Sequence, residues 1–310
     1  MIFLNKFMKN NRILILGYSS IAKRKVIPAI KKIGNLEFEI CSKSSNRKNC
    51  GEKKWHKDYD SALKSSKSNI AYISLPNSMH YKWAKRALTL GYHVIIDKPA
   101  TIKFSETLNL IKLAKIKKRL LAEAIVYNYH NQITSAIKYI GGYRSIKKVY
   151  ANFKIPMPKK NNIRKIKKLK SYCFYDMNPY AASIPRIFYK KNPKKIYILN
   201  KKDYFNNFSL LMKFSNGIFV GDFAYGSEYN NTLTLFSKNK IIQLNKIFSP
   251  PSNINTILYL NFKNKLKKIK LKKDDSFFNF LKIVLKKIKN KDYEEFLKIM
   301  RFDSEIKRKF

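Results

Sequence analysis

Residues 12–22 read Arg-Ile-Leu-Ile-Leu-Gly-Tyr-Ser-Ser-Ile-Ala, and the fold of the N-terminal half is worked out from them. Four aliphatic residues in succession, closed by Gly17, predict a short strand buried on both faces. From 20 to 32 the pattern changes, and Ile21, Val26, Ile27 and Ile30 recur near one face of a helix. The turn between them, Gly17-Tyr18-Ser19-Ser20-Ile21-Ala22, is a variant of G-x-G-x-x-G/A with serine at the second glycine and alanine at the third. Small residues there let backbone N–H groups and the helix N-terminus approach a pyrophosphate. The same strand-turn-helix also occurs in α/β proteins that bind no nucleotide, so the turn by itself leaves both readings open.

Further strands are expected at 36–41, 70–75, 93–97 and 120–124, separated by helical patterns that include one at 104–118. This alternation predicts a doubly wound parallel sheet with right-handed crossovers, a Rossmann domain over residues 1–124. Beyond 124 the rhythm changes. A helix at 128–140, a strand at 146–154, a basic loop at 156–170 and a helix at 174–189 precede a run of strands from 195 to 272. Short turns at Ser215-Asn216-Gly217 and Ser237-Lys238-Asn239 join those strands into a large, open, mostly antiparallel sheet. Two amphipathic helices, 275–288 and 292–308, close the sequence. Residues 125–310 are therefore read as one α/β domain for substrate binding and oligomerisation, and a length of 310 residues favours two domains over one.

The formal net charge is +47. Such a charge favours phosphate polymers when it is concentrated, but here lysine is spread over strands, helices and loops alike. No nucleic-acid-binding motif accompanies it, so a nucleic-acid partner is disfavoured. Cys41, Cys50 and Cys173 are widely spaced without a C-x-x-C pattern, which argues against a disulfide framework and a metal site and fits a reducing cytoplasm. Asn5, Lys6, Lys9 and Arg12 leave no apolar run for a signal peptide, and no stretch reads as a membrane span.

The second strand ends in Ser42-Lys43-Ser44, where sites selective for NAD place a carboxylate for the ribose 2′-hydroxyl. Hydroxyls and an ammonium suit a 2′-phosphate instead, so NADP is favoured over NAD.

Two longer stretches add a resemblance. Tyr72-Ile73-Ser74-Leu75-Pro76-Asn77-Ser78-Met79-His80 is followed by a helix and then Gly91-Tyr92-His93-Val94-Ile95-Ile96-Asp97-Lys98-Pro99. Together they resemble the Gfo/Idh/MocA oxidoreductases, in which a P-N-x-x-H element precedes E-K-P; here the glutamate is Asp97. The resemblance implies that Leu75, Pro76, Asn77, His80, Asp97 and Lys98 adjoin the cofactor, that Lys98 lies beside the nicotinamide and the reacting carbon, and that the bond to Pro99 is cis. Glu123 to Gln132 is similar to the family's passage into the substrate domain, and it makes Tyr127 and His130 candidate substrate contacts. Asp176-Met177-Asn178-Pro179-Tyr180 stands where relatives carry an Asp-x-Gly-x-His/Tyr helix start, with Asn178 in place of the glycine. Asp176 and Tyr180, four apart, share a helical face; the resemblance makes both catalytic candidates beside Lys98, with Tyr180 or Lys98 itself as proton donor. Residues 223–231 and 245–251 resemble the subgroup that contains sugar 3-ketoreductases.

The function this implies is hydride transfer between NADP and a sugar, nucleotide-activated in that subgroup, by a homodimer or homotetramer. Arg164 and Lys165, on the loop before the Tyr180 helix, suit a diphosphate. A dinucleotide-binding sensor of the same fold is the alternative; it predicts cofactor affinity without turnover. A nucleic-acid binder predicts salt-sensitive retention of DNA or RNA with no nicotinamide effect.

Overall fold

The computed structural model describes residues 11–43, 55–199 and 204–310. Their packing divides the chain into two compact units, Met1–Ala124 with Phe277–Arg301, and Ile125–Ser276 with Phe302–Phe310.

In the first unit, β1 (Arg12–Leu16) has every residue after Arg12 buried, as its unbroken aliphatic run requires. It lies between β2 (Glu37–Cys41) and β4 (Ile70–Ile73), and the sheet continues outward to β3 (Trp55–His56) on one side and to β5 (His93–Ile96) and β6 (Leu121–Glu123) on the other. All pairings are parallel and the order is β3-β2-β1-β4-β5-β6. Chain direction across the sheet therefore reverses at β1, the switch point where open α/β sheets bind ligands beyond their carboxyl ends. Leu16 is in register with Cys41 and Ile73, Ile73 with Ile96, and Ile96 with Glu123. Gly17, Ser42, Ser74, Asp97 and Ala124 consequently follow one another along a single edge.

A π-helical turn, Ala22–Val26, runs into α1 (Ile27–Ile33). The crossovers carry α2 (Tyr59–Ser65), α3 (Asn77–Thr89) and α4 (Phe104–Lys117). Asp58 caps α2 by accepting the Ser61 N–H.

The second unit begins with a 3₁₀ turn, Val126–Tyr129, and α5 (Asn131–Ile140), which stops at Gly141 in the left-handed region. Its sheet holds β7 (Lys148–Ile155), β8 (Lys195–Leu199), β9 (Asn207–Lys213), β10 (Ile218–Tyr225), β11 (Asn230–Phe236), β12 (Lys240–Asn245), β13 (Thr256–Phe262) and β14 (Lys265–Leu271). The order is β14-β13-β12-β11-β7-β10-β9-β8, antiparallel except where β7 meets β10. One face is core, as the strict alternation of buried residues along β9 and β11 shows. The opposite face carries the row Tyr197, Leu211, Val220, Tyr150 and Thr234 in register, and Tyr197 and Leu199 are more than half exposed. α6 (Cys173–Ile184) passes into a second π-helical turn, Pro185–Tyr189, where a continuous helix to 189 was expected.

The last two helices, α7 (Ser276–Lys289) and α8 (Glu294–Lys307), divide between the two units at Arg301 and Phe302. Leu297 and Met300 join the apolar core of the first unit, whereas Ile306 lies in that of the second. Among the described residues no helix is long and apolar enough to cross a membrane.

Candidate active site

The first unit supplies the Gly17 turn. Gly17 has φ +98°, and a Cβ placed on it would lie 2.2 Å from the Ser74 carbonyl oxygen. Its N–H donates to Cys41 O at 2.8 Å, so the turn lies flush against the ends of β2 and β4. Ser19, standing at the second glycine, has a definite task. Its Oγ accepts the Ala22 N–H at 3.1 Å and its carbonyl accepts the Lys23 N–H at 3.0 Å, a helix start made by its own side chain. Ser20 and Ile21 follow as the exposed first residues of that helix. The Tyr18 ring meets Trp55 edge-on at 5.6 Å, with Lys23 Nζ 4.3 Å from its centre.

Ser19 also hydrogen-bonds Ser74 Oγ at 2.7 Å. Ser74 spends its own hydrogen on Asp97 Oδ2 at 2.6 Å, so the Ser19 hydroxyl is the donor in their mutual bond. Tyr72 donates to Asp97 Oδ1, also at 2.6 Å. The chain Ser19 to Ser74 to Asp97 joins the glycine turn to the residue before Lys98. Burial raises the Asp97 pKa against the lowering pull of the two hydroxyls, His80 and Lys98; the same burial, with Asp97 alongside, holds the Tyr72 phenol well above its ordinary value. Tyr72 and Ser74 went unassigned in the sequence, although alternate positions on one strand share a face and point to a common partner.

His80 is fully buried. Its Nδ1 is 2.8 Å from Pro99 O and its Nε2 is 2.7 Å from Leu75 O. Both partners are acceptors, so both bonds form together only when each ring nitrogen carries a hydrogen. His80 and Asp97, both expected to adjoin the cofactor, tie this edge together: His80 links Leu75 to Pro99, and Asp97 is held by Tyr72 and Ser74. The Lys98–Pro99 bond is cis. Lys98 is half-buried at the carboxyl end of β5, and Glu123 accepts the Ala100 N–H behind it. Ser42 is buried at the end of β2, and Lys43 Nζ lies 3.8 Å from Asp58 Oδ2 and 5.4 Å from the Tyr59 ring centre. Ser44 lies outside the described residues.

In the second unit Tyr180 is half-buried on α6 within a wall of rings. Phe248 is 4.9 Å away between centroids, Phe153 5.3 Å and Tyr127 5.8 Å, and Phe153 stacks on Phe248. The stretches 223–231 and 245–251, singled out by sequence, hold that wall together. Asn231 Oδ1 accepts the Phe248 N–H at 3.0 Å and Asn231 Nδ2 donates to Ser249 Oγ at 2.8 Å. Phe153 and Phe248 were missed as neighbours of Tyr180, because contacts so distant in sequence leave no local pattern.

Tyr127 and His130, expected at the substrate, are each 1% exposed and serve the unit's interior. Tyr127 pairs its hydroxyl with Ser183 at 2.7 Å. His130 Nδ1 accepts the Gln132 N–H to cap α5, and burial holds its pKa below the usual histidine value. Asp176 is not free beside Tyr180 either: its Oδ2 accepts from Arg164 Nε and from the Tyr225 hydroxyl, each at 2.8 Å. Asp176 thereby raises the pKa of Arg164, and burial with Asp176 alongside raises that of Tyr225.

Residues 11–124 match the oxidoreductase family with an NAD-binding Rossmann fold, Gfo/Idh/MocA. That match covers the first sheet and its crossovers. The chain's relatives include two dTDP-3,4-didehydro-2,6-dideoxy-α-D-glucose 3-reductases. The one from Streptomyces violaceoruber is 27% identical over 180 residues, 56% of this chain and 53% of the relative. The one from Saccharopolyspora spinosa is 24% identical over 278 residues, 85% of this chain and 83% of the relative. The chain thus spans only about half the length of the first of these. Among solved structures, a 3-ketoreductase from Actinomadura kijaniata in complex with NADP and TDP-benzene superposes with a TM-score of 0.86 at 19% identity, over 96% of this chain and 95% of the other. The likeness in fold to that 3-ketoreductase therefore takes in the open second sheet as well as the parallel one.

Proposed function

We propose that this protein is an NADP-dependent oxidoreductase that moves hydride between the nicotinamide and a carbonyl or hydroxyl carbon of a sugar, carried on a nucleotide. The observation that carries this reading is the Gly17 turn. At the switch point of the sheet it is pressed so closely against Ser74 that no side chain fits, and it is followed at once by a helix start. These residues fit a dinucleotide: the N–H groups of Ser20 and Ile21, first in their helix, lack intrahelical acceptors and suit a pyrophosphate. Ser42 and Lys43 at the end of β2 suit the 2′-phosphate of NADP. The likeness to the 3-ketoreductase solved with NADP supports the same choice.

When bound, the nicotinamide supplies or accepts the hydride. Protein groups manage the proton. Tyr180 Oη gives its proton to the sugar's carbonyl oxygen during reduction and takes it back during oxidation. A phenol has an ordinary pKa of about 10, so efficient donation needs a cation close to it in the reacting complex. The rings of Phe153, Phe248 and Tyr127 fix Tyr180 and keep water from its flank. The names of the relatives make a dTDP-linked 3-keto-hexose the first substrate to try.

The exposed face of the eight-stranded sheet, with Tyr197, Leu199 and Ile257 uncovered, is the surface for a second copy of the chain; sedimentation should show a dimer or tetramer that Tyr197→Lys weakens. A cytoplasmic location suits Cys41 and Cys173, both buried as free thiols. The reading is tested by titrating NADPH and NADH separately, then assaying Lys98→Ala and Tyr180→Phe on dTDP-linked keto-sugars. NADPH should bind more tightly than NADH, and each variant should lose about 10²–10⁴ in turnover. Binding of neither cofactor overturns the proposal, and NADPH affinity with no turnover of any sugar favours a sensor.

A further inference from the structure

A side-chain cluster in the second unit ties a loop to the helix that carries Tyr180. The loop leaves β7 at Pro156 and holds two short 3₁₀ turns, Ile163–Lys165 and Lys167–Leu169, before α6 begins at Cys173. Asn162 caps the first turn by accepting the Arg164 N–H at 3.1 Å. Arg164 Nε then reaches Asp176 Oδ2, which also accepts the Tyr225 hydroxyl from the end of β10. Three separated segments thus meet on one carboxylate oxygen. The Asp176 side chain is only 15% exposed, and Arg164 is 38% exposed. Lys167 Nζ, 5.7 Å from the Phe205 ring centre, and Lys170 Nζ, 5.8 Å from that of Tyr175, add weaker anchors to the same loop.

A carboxylate that accepts a charge-assisted bond from a guanidinium and a second bond from a phenol is poorly placed to carry protons. Protonating Oδ2 would break both bonds and leave a partly buried arginine without its counter-charge. We infer that Asp176 is a positioning residue: with Tyr225 it latches Arg164, and through it the 156–170 loop, against the start of α6, one helical turn before Tyr180. This rests on the reading of Tyr180 as proton donor, and it replaces the sequence-based expectation that Asp176 is catalytic. The latch fixes a guanidinium by its Nε edge, the orientation in which arginine grips phosphoryl oxygens with its terminal nitrogens. Its contribution therefore falls on binding of the nucleotide diphosphate, and the proton transfer proceeds without it.

The first arm of the test needs neither substrate nor cofactor. Trypsin cleavage at Lys159, Lys160, Arg164, Lys165, Lys167, Lys168 and Lys170, read by fragment mass, should be about tenfold or more faster in Asp176→Asn and Tyr225→Phe than in the wild type, under conditions where urea titration shows each protein fully folded. Equal cleavage rates overturn the latch. Tyr225→Phe is nearly isosteric and keeps the test sharp if Asp176→Asn folds poorly. In the second arm, with NADPH and a dTDP-linked 3-keto-hexose, both variants should raise KM about tenfold while kcat keeps the shape of its pH profile, and Asp176→Glu should recover part of the KM. Loss of an ionisation from the kcat profile of Asp176→Asn, with KM unchanged, would make Asp176 a proton carrier and defeat the inference. A wild type that turns over no sugar sinks the oxidoreductase reading, and the trypsin arm still decides the latch.

Discussion

Replacing Gly17 with alanine tests how the cofactor turn is built. The added methyl would sit 2.2 Å from Ser74 O, 2.8 Å from Ser74 C and 2.9 Å from a Leu75 methyl. Carbon contacts are comfortable only at about 3.5 Å or more, so β1 and β4 must part by roughly an ångström at their carboxyl ends. The first two obstacles are backbone and cannot rotate away. The residue would also hold φ near +98°, which costs a side-chain-bearing residue about 1–3 kcal/mol before any clash. Adding about 1–3 kcal/mol for overpacking gives a destabilisation of roughly 2–6 kcal/mol. Parting the strands also stretches the Ser19–Ser74 and Ser74–Asp97 bonds, so the damage reaches Lys98. Gly17→Ala should lower the urea midpoint markedly and abolish NADPH binding at any concentration that saturates the wild type. A variant with wild-type stability and affinity would show that the turn is not held against Ser74, and the reasoning from Gly17 outward would fail.

Three further outcomes are expected. Burial, aided by Arg119, lowers the His93 pKa from 6.5 to about 4, and His93 Nδ1 accepts the Leu120 N–H. A folded pKa below the unfolded value gives stability that is present above pH 6.5 and lost as the pH falls towards 4; urea titrations should show the wild type losing about 3 kcal/mol more over that window than His93→Asn. Asp303, 1% exposed, receives both Nε and a terminal nitrogen of Arg186 at 2.9 and 2.8 Å, so Asp303→Ala should cost about 3–5 kcal/mol, whereas Arg186→Met with Asp303→Leu should restore most of it; equal losses in both would contradict the buried-pair account. Lys43→Glu should weaken NADPH about tenfold to a hundredfold and leave NADH nearly unchanged, measured by fluorescence titration; parallel losses for both cofactors would remove Lys43 from the 2′-phosphate site.

Much of this was legible before any coordinates. The run at 12–16 is β1 to the residue, because a strand buried on both faces must be apolar throughout. The turns around Gly217 and Ser237 fall where expected, and the open second sheet is antiparallel apart from β7 and β10. β3 was not legible: it has only Trp55 and His56, and its pairing is set by β2 rather than by any pattern of its own. The partners of the last two helices were hidden for a related reason, since amphipathic spacing names the buried face and not what buries it. At the candidate site, the family motifs are what single out Gly17, Lys98 and Tyr180. They also nominate His80, Tyr127 and His130, whose polar atoms make hydrogen bonds to a loop, a neighbouring helix and a helix start. Motif spacing cannot separate a residue that touches a ligand from one that holds the toucher in place.

The central claim, a ketoreductase with Tyr180 as its proton donor, is tested most directly by single-turnover oxidation of bound NADPH on mixing with a dTDP-linked 3-keto-hexose. The wild type should consume the cofactor with one equivalent of sugar reduced, and Tyr180→Phe should bind NADPH equally well but react about 10²–10⁴ times more slowly. Equal rates in the two proteins would take the proton away from Tyr180, and no oxidation in the wild type with any keto-sugar nucleotide would contradict the account as a whole.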